Sequence, residues 1–244
     1  NTFATPVNCR PFEWGCDIVT HSTTKYLDGH AATVGGAVVD SGQFDWMAHA
    51  EKYPGLCTPD ASYHGLTYTK AFGKMGYLTK LVAQLMRDLG SIPSPHNSYL
   101  LNLGLESLHL RMAQHCRNAQ QIAEFLEQQE QVAWIHYCGL KNDAHYARGQ
   151  KYLPNGSCGV IAFGLKGDRD TAIRFMDSLR LINIATHVAD SRTCVLHPAS
   201  HTHRQLTDEQ LRASGIDPTL IRLSVGIEDV TDLLADIQQA LAKC

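Results

Sequence analysis

The chain has 244 residues, 44% hydrophobic and 18% charged, with a formal net charge of -3. That is enough apolar material for one large domain or two smaller ones, and no basic excess or basic stripe marks a nucleic-acid binder. No run approaches the roughly 18 apolar residues of a membrane-spanning helix, and the opening Asn1-Thr-Phe-Ala-Thr-Pro6 lacks the basic and apolar parts of a signal peptide. A cytoplasmic location is the expectation. The eight cysteines (9, 16, 57, 116, 138, 158, 194 and 244) are scattered without C-x-x-C spacing, which speaks against a zinc ribbon or a dithiol redox pair and for reduced, partly buried thiols.

In chain order, residues 17–21 and 33–39 read as short buried strands. Between them lies a polar turn, Ser22 to Ala32, containing Gly29; the end of a buried strand is a common place for ligand chemistry in α/β proteins. From Tyr68 to Leu89 the pattern is helical, with Leu78, Leu81, Val82, Leu85 and Leu89 at spacings of three and four. Gly90 to Asn97, with two prolines, is the best candidate domain boundary.

Leu101 to Gln128 predicts one long amphipathic helix with an apolar stripe of Leu105, Leu108, Met112, Ala119, Ile122 and Leu126. Strands follow at 132–137 and 159–165, a helix at 170–179, and strands at 184–188 and 193–196. Thr207-Asp-Glu-Gln210 has capping-box spacing. A strand at 221–225 and a helix capped by Asp229 and running through Ala242 complete the chain. Alternating strands and helices give an α/β or α+β class.

In an extended backbone Ser22 and Thr24 point the same way, with the amine of Lys25 beside them. Hydroxyls at a strand end suit a phosphate monoester, and a lysine in a desolvated pocket suits imine chemistry with an aldehyde. On spacing alone the same run also fits a solvated surface lysine.

The wider sequence resembles the Cys/Met-metabolism family of pyridoxal-phosphate enzymes. The resemblance runs through Asn1-Thr-Phe-Ala-Thr-Pro6, His21-Ser-Thr-Thr-Lys-Tyr-Leu-Asp-Gly-His30, Gly35-Gly36 and Leu103-Gly-Leu-Glu-Ser-Leu108. It continues through Tyr152-Leu-Pro154, His197-Pro-Ala-Ser200 and Arg222-Leu-Ser-Val-Gly-Ile-Glu228. It implies an α/β chain of fold type I: residues 1–92 as the end of a large, mostly parallel-sheet cofactor domain and 93–244 as a smaller C-terminal α/β domain. It also implies that Lys25 forms the Schiff base and shuttles protons, that Ser22 and Thr24 bind the cofactor phosphate, and that Arg222 binds the substrate α-carboxylate. A guanidinium grips a carboxylate in a fixed, bidentate way that a lysine cannot. A homotetramer and small-molecule substrates follow from the resemblance too, with no metal, nucleic acid or membrane partner.

His187 stands where relatives carry a small polar residue beside the substrate carboxylate, and a structural histidine is as well supported there. His197, His201 and His203 lie within seven residues, but without a convergent Cys or carboxylate set they read as structural. Glu106 is expected to make a helix-end or interdomain hydrogen bond. Tyr63-His-Gly-Leu66 and Thr186 to Pro198 look most like the O-acetylhomoserine sulfhydrylase branch, whose reaction is γ-replacement by sulfide or a thiol. Elimination of the methionine γ-lyase type is the alternative, and a non-catalytic subunit or fragment a second one. In the family an aspartate facing the pyridinium nitrogen, a glycine-rich phosphate loop and a stacking aromatic precede the first matched residue. The expectation is therefore the C-terminal part of a longer protein, its preceding segment a separate or cleaved piece or lost by truncation.

Overall fold

The computed structural model describes residues 1–244. Near the N-terminus, α1 (Thr5–Asn8) precedes an antiparallel pair, β1 (Ile18–Ser22) and β2 (Gly36–Asp40), in register from Ile18 opposite Asp40 to Ser22 opposite Gly36. Alternation sets what the pair covers: Val19 and His21 of β1 are buried while Thr20 is exposed.

The predicted helix over 68–89 forms in pieces. After α2 (Pro54–Cys57) come α3 (Tyr68–Phe72), a 3-10 turn over Gly73–Met75, α4 (Gly76–Lys80), a π-helical stretch over Leu81–Met86, and α5 (Arg87–Leu89). Leu56, Cys57 and Tyr68 form a small core here, with Trp46, Tyr63, Leu66 and Tyr77 packed against it. The expected apolar stripe is not core: Val82, Leu85 and Leu89 are exposed.

Two helices replace the single one expected over 101–128. Helix α6 (Pro95–Glu106) begins earlier, because Pro95 is tolerated in the first turn and the Ser94 hydroxyl accepts from Asn97 N. It ends at Ser107 (φ -101, ψ 0), and α7 (Leu108–Glu127) continues. The Ser107 hydroxyl is engaged by Gly104 O and Arg111 Nε at the break. Gly104 touches the Leu27–Asp28 backbone so closely that a Cβ would lie 2.4 Å from Asp28 O. Leu105 is therefore exposed, whereas Leu108, Met112, Ala119, Ile122 and Leu126 are buried as the stripe predicted. Glu106 is exposed at the end of α6, and its side chain makes none of the chain's ion pairs or side-chain hydrogen bonds.

The remaining elements are β3 (Val132–His136), α8 (Tyr146–Tyr152), β4 (Val160–Leu165), α9 (Arg169–Ser178), β5 (Asn183–Ile184), β6 (Cys194–Leu196), α10 (Asp208–Ala213), β7 (Leu220–Ser224) and α11 (Val230–Leu241). The sheet order is β3-β4-β7-β6-β5, antiparallel except for β5–β6. Both bonds of the Thr207–Gln210 capping box form, and Asp229 caps α11. Helices α7, α9 and α11 pack on Ile161, Phe163, Leu165, Ile221 and Leu223 to make the main core. Burial of this core supplies about 25 cal/mol per Å² of apolar area removed from water. No helix is long and apolar enough to cross a membrane.

Candidate functional site

Lys25 lies in the connection between β1 and β2. The chain leaves the strand at Thr23, where Thr23 N donates to Gly35 O at 3.0 Å. Asp28 N then donates to Thr23 O at 3.1 Å and Gly29 N to Lys25 O at 2.7 Å, closing a turn. Strand alternation therefore reaches only to Ser22, and the turn rather than an extended backbone sets the direction of Thr24. The Thr24 hydroxyl accepts from Gly35 N at 3.1 Å and lies 3.3 Å from Gly35 O. Ser22 ends β1, its backbone N–H on Thr2 Oγ1 at 2.9 Å and its hydroxyl without a partner in the chain.

The Lys25 amine takes part in none of the six ion pairs. Burial pushes its pKa down, the nearby Arg222 charge pushes it further, and Cys194 opposes. A depressed pKa raises the neutral, nucleophilic fraction of the amine.

Arg222 occupies the middle strand, β7. Its neighbours Ile221 and Leu223 are buried in the core, so alternation sends Arg222 to the opposite face, in register with Ala162 and Leu196. Nη2 donates to Thr186 O (3.0 Å) and His187 O (3.1 Å), while the buried Nε has no partner. No carboxylate pairs with this half-buried cation, which places an anion-sized demand beside Lys25. His187 adds a second orphan: Nε2 is buried and unpartnered. Burial first, and then the Lys25 charge, hold this imidazole below its ordinary pKa. The thiol of Cys194 donates to His187 O at 3.2 Å.

The segment over 186–193 explains why the expected strand at 184–188 shrinks to Asn183–Ile184. Its carbonyls at 186 and 187 serve Arg222, Ala189 N donates to Ser224 Oγ (2.7 Å), and Ser191 turns toward the lysine loop. Ser191 N and Oγ both donate to Gly29 O, at 2.9 and 2.7 Å. Gly29 has φ +72, and a Cβ there would lie 2.2 Å from Arg111 Nη1. Arg111, 5% exposed, donates to Tyr26 O (2.9 Å), Gly104 O (2.7 Å) and Ser107 Oγ (3.0 Å). The fully buried Tyr26 packs its ring on His115 (centroids 4.8 Å apart), and its hydroxyl accepts from Gly159 N at 3.0 Å.

Lys25 thus lies within electrostatic reach of both Arg222 and His187, Arg222 holds the His187 carbonyl, and Ser22 and Thr24 lie within three residues of the lysine. Tyr26, Arg111, His115, Ser191 and Cys194 were missed from the sequence. A signal existed for two of them: Arg111 and His115 fall on the buried stripe of α7 among Leu108, Met112 and Ala119, where polar residues require a specific partner. The histidines after 196 are occupied structurally. His197 reaches Pro218 O (2.7 Å) and Ser200 Oγ (2.9 Å), His201 lies on His197 O (3.0 Å), and His203 bonds Thr202.

An amine with depressed pKa, a free hydroxyl at the strand end and an unpaired guanidinium fit an aldehyde-bearing phosphate ester together with a carboxylate. Comparison with known proteins agrees. The profile of the family described as Cys/Met metabolism PLP-dependent enzyme matches residues 1–242. The O-acetyl-L-homoserine sulfhydrylase 1 of Thermus thermophilus is 43% identical over 233 residues, covering 96% of this chain and 55% of that protein. The homocysteine/cysteine synthase of Saccharomyces cerevisiae is 42% identical over 242 residues, covering 95% and 54%. A crystal structure of an O-acetylhomoserine (thiol)-lyase from Campylobacter jejuni, with a pyridoxyl-lysine phosphate, superposes with TM-score 0.92 at 36% identity. It covers 99% of this chain and 57% of that one. The chain spans about half the length of the curated relatives it matches. The fold-type I α/β class expected from the motifs is borne out, and the chain belongs to the Cys/Met metabolism family of pyridoxal-phosphate-dependent enzymes.

Proposed function

We propose that this chain carries the lysine and carboxylate-binding part of an enzyme that performs γ-replacement on O-acetyl-L-homoserine. Sulfide or a thiol replaces acetate, giving homocysteine or, from methanethiol, methionine. The observation that carries the reading is a depressed-pKa amine at Lys25 near the half-buried Arg222 guanidinium, whose Nε has no partner and which no carboxylate pairs. The relatives' names supply the substrate class.

Pyridoxal phosphate, when bound, supplies an aldehyde for covalent attachment of amines and a ring that takes up electrons from the substrate. Lys25 would provide the attaching amine and would take and return protons at the substrate Cα and Cβ. Its neutral form suits it to both transfers. The Ser22 and Thr24 hydroxyls would donate to the cofactor phosphate, Thr24 by turning its proton from Gly35 O while still accepting from Gly35 N. Arg222, fixed through Nη2, presents its remaining donors to the substrate α-carboxylate. Residues 1–92 belong in this reading to the cofactor domain and 93–244 to the smaller domain. Residence in the cytoplasm and assembly into a homotetramer, in line with the family resemblance, complete it.

The test uses the complete protein loaded with pyridoxal phosphate. O-acetylhomoserine plus sulfide yields homocysteine and acetate, and Lys25→Ala abolishes both turnover and the visible absorbance of lysine-bound cofactor. Arg222→Lys raises KM about 10- to 100-fold, since a point charge replaces a fixed fork. Formation of 2-oxobutyrate and methanethiol from methionine, with no homocysteine from O-acetylhomoserine, would overturn the replacement reading in favour of elimination.

A further inference from the structure

We propose that Arg111 and Ser191 are positioning residues for Lys25: from α7 and from the 186–193 segment, they fix the amine-bearing turn relative to Arg222. The inference rests on the function proposed above and goes beyond it by assigning two residues that do not touch the reacting groups.

Within the turn from Thr23 to Gly29, backbone bonds form at Asp28 N and Gly29 N, while Thr24 is held on Gly35, the Tyr26 hydroxyl on Gly159 N, and Asp28 Oδ2 on Ala32 N and Thr33 N. Its carbonyls at Tyr26 and Gly29 are taken by groups 85 and 162 residues away in sequence. Arg111 is a buried cation with no carboxylate partner, and its guanidinium donates to three separate neutral acceptors. The planar fork serves the three acceptors from three separate nitrogens; a lysine ammonium, with all its N–H bonds on one nitrogen, cannot span them at once. Gly29 completes the fit, since any side chain there would displace the guanidinium.

Ser191 secures the far end of the turn twice, through N and Oγ on one carbonyl oxygen. Five residues earlier the same segment holds Arg222 through the carbonyls of Thr186 and His187. One short stretch of backbone therefore ties both the turn carrying the amine and the guanidinium that receives the carboxylate. Their separation determines whether Lys25 reaches the Cα proton of a substrate held at Arg222. Misplacement by about 1 Å at such a distance costs on the order of 100-fold in rate.

Ser191→Ala removes one bond and keeps the backbone N–H; Arg111→Lys keeps the charge and loses the fork. Both are made in the complete protein loaded with pyridoxal phosphate. Three quantities are measured: kcat and KM separately, the pH midpoint of the Lys25-dependent cofactor absorbance, and the thermal melt. The expected result for Ser191→Ala is a melt close to that of the parent, a kcat lowered about tenfold with KM within about threefold, and a displaced absorbance midpoint. Arg111→Lys should show a larger change of the same kind. A Ser191→Ala protein with unchanged kcat and midpoint overturns the proposal, as does a loss of activity that merely tracks loss of folded protein. If Arg111→Lys fails to fold, Ser191→Ala alone decides. Absence of any Lys25-dependent absorbance in the parent protein is a separate result and would overturn the functional reading itself.

Discussion

His115 shows at single-residue scale how closely this chain couples burial to acidity. It is fully buried, and Nδ1 lies 2.7 Å from Val225 O, so Nδ1 carries the proton and donates. Nε2 has no partner, so protonation would bury an N–H with nothing to accept it. Burial accordingly lowers the pKa from 6.5 to about 4, against a smaller opposing effect of the Val225 carbonyl. In the window from about 6.5 down to about 4 the unfolded chain binds a proton that the folded chain refuses, so stability falls as the pH falls through it. The loss reaches about 3 kcal/mol below pH 4. Urea unfolding at pH 7 and pH 4 should show a smaller acid loss in His115→Phe than in the parent. Lys25 has the same sign of shift and the opposite consequence for chemistry: its lowered pKa makes the free amine available nearer neutrality. The lysine and arginine stand among neighbours that form motifs, so the sequence singles them out as candidates. Ser191 was not legible there, because its partner is a backbone carbonyl 162 residues away, and backbone acceptors leave no trace in side-chain spelling; Arg111 left only its place on the buried stripe of α7.

Among elements, those whose signal is local came out as read. The capping box at Thr207, the cap at Asp229, and the alternation of Ile221, Arg222 and Leu223 each depend on residues within one turn or strand. Failures cluster where a distant group decides. The break at Ser107 accompanies the packing of Gly104 on the lysine turn, and the lost strand after Ile184 reflects carbonyls spent on Arg222. A further case joins α11 to the loop after α9: the buried Asp236 carboxylate accepts from Arg180, Leu181 and Ile182 N, each at 2.9 Å. Asp236→Ala would strand three donors and should cost about 3 kcal/mol, read as a lower urea midpoint with an unchanged slope.

Across the whole molecule, the hydrophobic material is unevenly spent. Twenty-one buried residues form the core beneath the five-stranded sheet, against three in the cluster around Tyr68. Val34, Leu89 and Ile92 are 82%, 76% and 70% exposed. Hydrogen exchange of the 244-residue chain should therefore be slowest in β4, β7 and α7 and fastest over residues 44–92, a contrast of several orders of magnitude in protection. Equal protection in both regions would contradict this ordering of local stabilities. The second cluster, of Tyr26, Leu27, Leu108, Met112, Cys116 and Ala189, belongs to neither sheet and joins the lysine turn to α7. That cluster bridges the chain on either side of the exposed Gly90–Pro93 stretch. A protease nick in this exposed stretch should leave two polypeptides that co-elute on size exclusion, because Tyr26 and Leu27 of one piece are buried against Leu108, Met112 and Cys116 of the other; separation of the two would contradict this. By the same reasoning, transplanting the β1–β2 hairpin alone into another scaffold would carry the motif across but leave its acidity and aim behind.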